Sequence, residues 1–96
     1  MENFMVDPAT VKSPKAHWTL IDVLCTTDTW ALAIGEWDGR RVLACRWNGR
    51  DEASKGNPVS HGVPTWFVLP DEFIVPLSTL IPAEKRFLTE ALLRAA

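Results

Sequence analysis

The sequence predicts a small α+β domain: a meander of three antiparallel strands, a long polar loop, a fourth strand and a C-terminal helix. Three observations carry this reading. The pair Asp38-Gly39 sits between two apolar runs, the dense apolar stretch Trp66-Phe67-Val68-Leu69 stops at Pro70, and Pro82 opens a final segment with apolar residues at helical spacing. An SH3-like partly open barrel is the alternative arrangement of the same strands.

Length and composition bound the problem. The chain has 96 residues, one domain's worth of material, and its 47% hydrophobic and 23% charged residues are those of a globular protein. A net charge of −2 argues against a strongly basic nucleic-acid protein. No apolar run approaches the roughly 18–20 residues that span a bilayer, and the chain is too short for an eightfold strand–helix barrel. Residues 1–15 read as a flexible leader broken by Pro8 and Pro14, with residues 16–96 forming the single domain. The leader lacks the basic start and apolar core of a secretory signal, so a cytoplasmic location is expected, and a count of two cysteines fits it. Five tryptophans and no tyrosine put much of the core into indole rings.

The first expected hairpin is the best determined element. A two-residue turn at Asp38-Gly39 needs positive φ at both positions, which Asp and Gly tolerate. It pairs Trp37 with Arg40, Glu36 with Arg41, Ile34 with Leu43, Leu32 with Cys45 and Trp30 with Trp47. One face of the ribbon therefore carries Trp30, Leu32, Ile34, Leu43, Cys45 and Trp47 as core, with Glu36 and Arg41 at its rim. The other carries the small residues Ala31, Ala33, Gly35, Val42 and Ala44, flanked by Trp37, Arg40 and Arg46. That face suits either solvent or a close-packed partner. A preceding strand, Thr19 to Cys25, turning at Thr27-Asp28, would set Cys25 opposite Trp30, Val23 opposite Leu32 and Ile21 opposite Ile34. Cys25 and Cys45 are then two strands apart, too far for a disulfide, and are expected as free thiols.

Residues 48–65 form a polar stretch of 18 residues with three glycines and two prolines, expected as a long loop. Residues 66–69 follow as a fourth strand. Pro76 forbids a long helix over residues 71–81, although Asp71 could cap a short turn there. Pro82 fits the first position of a helix reaching about Ala95, with Glu84 in the first turn and Arg94 in the last. Its expected buried stripe is Phe87, Leu88, Ala91, Leu92 and Ala95.

Catalytic chemistry finds little support. Cys25, Cys45, His17 and His61 have none of the paired spacings of a zinc site, so no metal is expected. Cys45 or Ser60 with His61 lacks an orienting acid, and Ser60-His61 sits in a Gly/Pro-rich loop. Asp71-Glu72 reads more simply as the opening of a helical turn than as an acid/base pair. The scattered glycines make no phosphate loop. The expectation is a chain that is not an enzyme and needs no cofactor.

Binding is the remaining class. Charge is uneven: residues 1–39 carry −4, residues 40–55 carry +3 and residues 56–96 carry −1. Trp37, Arg40, Arg46, Arg50 and His61 are the candidate binding residues. Two readings use them. In the first, the small-residue face docks a protein partner, expected to be a second copy in a homodimer, and the chain is an interaction or regulatory module. In the alternative, arginines and Trp37 bind single-stranded nucleic acid weakly, phosphates meeting the cations and bases stacking on the ring.

Overall fold

A computed structural model describes residues 6–49 and 55–94. Strands β1 (Trp18–Thr26), β2 (Trp30–Trp37), β3 (Arg40–Trp47) and β6 (Phe67–Val68) form one antiparallel sheet in the order β1-β2-β3-β6. It is open, not closed into a barrel. A two-stranded ribbon, β4 (Val59–Ser60) with β5 (Val63–Pro64), lies beside it. The chain then makes a 3-10 turn at Asp71–Phe73, a short helix α1 (Ile74–Leu77), a second 3-10 turn at Ser78–Leu80 and helix α2 (Ala83–Arg94).

The β2–β3 hairpin has the expected register from Trp37↔Arg40 to Trp30↔Trp47. Asp38 (φ 53°) and Gly39 (φ 86°) take the two left-handed positions of its turn. The β1–β2 register differs from expectation. Trp18↔Trp37 and Leu20↔Gly35 match it, but irregularities between Leu20 and Asp22 and between Val23 and Cys25 move later residues, so Asp22 faces Ile34 and Cys25 faces Leu32. The turn is set by Thr27, whose backbone N–H donates to Trp30 O at 2.8 Å and whose Oγ1 accepts from the Thr29 and Trp30 N–H groups at 3.2 Å each. That places the turn one residue later than expected, and the bulges absorb the offset. They also resolve a conflict of pattern, since Leu20 and Val23 pack on one face of the sheet while Leu24 and Cys25 pack on the other.

Each face of the sheet carries its own core. The small-residue face, expected to await solvent or a partner, is covered by the chain itself. Trp18, Trp66 and Val11 lie over Ala31, Ala33, Val42 and Ala44. Trp66 Nε1 donates to Val11 O at 2.7 Å, so part of the leader is a structural layer, and Val6 packs there too. Alanines are needed below because indoles lie above. At Gly35 any Cβ would sit inside van der Waals contact of the Trp18 ring and Thr19 O. The opposite face carries Leu24, Leu32, Ile34 and Leu43 under Leu69 and Ile81, with Ile74, Leu77, Leu92 and Leu93 against them.

Helix α2 is rotated from its expected setting. Thr89 is buried and Leu92 and Leu93 face the core, while Phe87 (78% exposed) and Leu88 (63% exposed) point outward. Ala91 is partly buried, and Ala95 lies outside the described residues. Polar anchors account for the rotation. Lys85 Nζ donates to Val23 O at 2.8 Å beside Asp22, and Arg86 Nη2 donates to Ile81 O at 2.8 Å. Both residues are partly buried on the side of the helix that carries Thr89, while Phe87 and Leu88 are not.

Candidate functional site

Of the described residues singled out from sequence, Trp37 and Arg40 are brought together, and Arg46 and His61 lie apart from them. Trp37 is half-buried, packs on the small-residue face and is stacked by His17 at 5.3 Å between ring centroids. Arg40 sits opposite it across the hairpin and is ion-paired to Asp71. Arg46 lies at the other end of β3, about 20 Å away at the usual rise per residue. His61 is at the exposed tip of the β4–β5 ribbon with φ 51°, followed by Gly62 at φ 79°. The 48–65 stretch thus holds a second hairpin, in which His-Gly takes the place usually given to Asn-Gly or Asp-Gly. Arg50 lies outside the described residues.

Arg46 requires a correction. It is a structural residue and not a surface cation, being only 2% exposed. Its guanidinium donates to Thr65 O and Lys55 O, tying the middle and the end of the polar stretch to β3. Burial pulls its pKa below the ordinary arginine value. A Cβ on Gly56 would meet both this guanidinium and the Trp47 carbonyl, so the chain can pass here only as glycine.

The catalytic arrangements weighed from sequence are not assembled either. Asp71 is engaged by Arg40 and opens the 3-10 turn. One pair was not legible in the sequence: His17 Nδ1 lies 2.8 Å from Asp38 Oδ1, with the Asp38 N–H donating to His17 O at 2.8 Å. This is an orienting contact of the kind a general base uses. Both side chains are more than half exposed, and among the described residues no hydroxyl or thiol bonds to the ring's other nitrogen. The pair pins the β2–β3 turn to the start of β1. No group of three or more His, Cys, Asp or Glu side chains among the described residues could hold a metal ion.

An aromatic-lined concavity among the described residues lies elsewhere, on the face beneath α1. Helix α2 is anchored at Asp22–Val23 and at Arg41, whose Nη1 donates to Leu92 O at 3.4 Å. It therefore covers the middle of the sheet and the part nearer Asp38-Gly39. The far end, where Trp30 pairs with Trp47, stays open as a groove of about 510 Å³. Trp30, Leu32 and Cys45 form its floor, Trp47 and Phe67 one rim, and Phe73, Leu77 and Leu80 the opposite wall. Trp47 was expected in the core but is 59% exposed; Phe67 is 57% exposed. The backbone of Trp47 is fully engaged, exchanging hydrogen bonds with Asn57 at 2.8 and 3.0 Å, so the ring is held in place without being covered. Cys45 and Cys25 are free thiols two strands apart, as expected, but the shifted β1 register sets both opposite Leu32, in line across the sheet where an offset was expected. Burial pushes the Cys45 thiol above its ordinary pKa.

The chain matches no known family model, and no curated protein or solved structure is significantly similar to it.

Proposed function

We propose that this chain is a non-catalytic protein-interaction module whose docking site is the open aromatic groove between β3, β6 and α1. The observation that supports it most directly is the exposure of Trp47 and Phe67 on a rim whose backbone is tied into the sheet. Preset aromatic rings at the edge of an apolar trough give large contact area with little side-chain entropy to lose, which is the make-up of interface hot spots. The proposal keeps the protein partner of the sequence reading but moves its surface, since the alanine face is already occupied by Trp18 and Trp66. A cytoplasmic setting belongs to the same proposal, and the two free thiols are consistent with a reducing compartment.

Selection of random peptides against the full chain tests the groove. Peptides that bind the wild type and are lost with Phe67→Glu and Trp47→Ser, both variants retaining the wild-type circular dichroism spectrum, are the expected result. Selected peptides that bind both variants undiminished would remove the groove from the proposal.

A further inference from the structure

The wall of the groove also separates it from a second apolar surface. Phe73, Leu77 and Leu80 face the groove, while Ile74, Val75 and Ser78 face a crevice against α2 lined by Thr89, Glu90, Leu93 and Arg94. On α2, Phe87 and Leu88 project away from the buried side carrying Thr89, Leu92 and Leu93. The molecule thus presents an apolar ridge and an apolar trough on the same helical layer, with α1 between them. The ridge is fixed by its helix and cannot fold into the trough of its own chain.

We infer that the occupant of the groove is a second copy of this chain, whose Phe87–Leu88 ridge seats against Trp47, Phe67 and Phe73. This inference rests on the groove reading above and names its partner. The layout closes under a two-fold axis passing over α1. With ridge and trough on opposite sides of that axis, each ridge meets the other copy's trough, the contact forms twice, and no end is left to propagate a fibre. Val75 is 78% exposed on α1, the element over which that axis passes.

Area favours the same occupant. At about 150–250 Å² for an aromatic side chain, the exposed fractions of Trp47, Phe67, Phe73 and Phe87 amount to roughly 500 Å². Val75, Leu80 and Leu88 bring the surface toward about 800 Å², the share each partner contributes to a standard stable interface. Neither surface alone reaches that figure; the two together do, and only a second copy supplies both complements.

Light scattering and sedimentation across a concentration series test it on the full chain. The wild type is expected at twice the monomer mass, with little change between low and high salt because the contact is apolar. Phe67→Glu in the trough and Phe87→Glu on the ridge each raise the dissociation constant by about thirtyfold or more. An equimolar mixture of the two regains dimer, since the mixed pair keeps one intact ridge-in-trough contact of two. Trp47→Ser and Leu88→Lys serve if either first variant fails to fold. A dimer lost with Phe67→Glu but kept with Phe87→Glu overturns the ridge as occupant while retaining the groove. A wild type that stays monomeric yet binds groove-dependent peptides overturns the second copy alone. A dimer indifferent to all four substitutions overturns both readings.

Discussion

The two faces of this sheet solve the same covering problem with opposite economies. One face is built of Ala31, Ala33, Ala44 and Val42, and two indole rings with Val11 seal it completely. The other is built of Leu32, Ile34 and Leu43, and is roofed by a broken helical segment that stops short of Trp30, Cys45 and Trp47. Small floor residues let a flat aromatic plate lie close everywhere. Large floor residues call for a roof that follows their relief, and helices of four and twelve residues reach only part of the way. The sealed face leaves almost no apolar surface in water, and the open face leaves Trp47 and Phe67 more than half exposed.

The largest expected effect comes from unsealing the closed face. Trp66→Ala removes a buried ring and the hydrogen bond that fastens the leader, and should destabilise the fold by about 3–5 kcal/mol in urea titration. A loss below about 1 kcal/mol would mean that the leader and indole layer do not hold this face. Gly35→Ala attacks the same contact from the floor. Trp18 and the Thr19 carbonyl leave no room for a methyl, so about 1–3 kcal/mol of overpacking is expected.

The two arginines once grouped as a binding surface divide along the same line. Arg46→Ala strands the Thr65 and Lys55 carbonyls and empties a buried site, for a loss of about 3 kcal/mol. Arg40→Ala opens an ion pair whose side chains are 64% and 53% exposed, for less than about 1 kcal/mol. Equal denaturation midpoints for the two variants would contradict the structural assignment of Arg46.

What could be read from the sequence was whatever a single turn or a single boundary determines. Asp38-Gly39 sets the β2–β3 register by its own backbone requirement, and Pro82 marks the onset of α2 in the same local way. The β1–β2 register was not legible, because it depends on the Thr27 hydroxyl and on two bulges that only cross-strand packing selects. Helix α2 shows the limit of periodicity. Its apolar residues form a stripe, yet Lys85 and Arg86 find acceptors on Val23 and Ile81 that turn another side inward. The same limit hid the groove. Alternation correctly placed Trp47 on the face of Leu32 and Leu43, but it could not show that the roof ends before reaching it.

The smallest expected effect concerns how dry the open face is at its floor. Cys45 borders the groove, and burial holds its thiol above the ordinary value of 9.0. As pH rises, the unfolded chain gives up this proton first, so the folded state binds the larger number of protons. Stability from this group is then complete below about pH 9 and is lost as pH climbs through the raised folded value. Cys45→Ala should flatten that part of the profile relative to wild type, in denaturation midpoints collected from pH 7.5 upward to about pH 10.5. Thiol alkylation gives the matching kinetic sign, because only the thiolate reacts and Cys45 should reach its half-maximal rate at a higher pH than an unburied cysteine. Identical stability profiles for Cys45→Ala and wild type would mean that water reaches the groove floor freely. A groove with a wet floor would have less to gain from an apolar occupant, so this comparison also measures how much of the docking energy comes from beneath the aromatic rim.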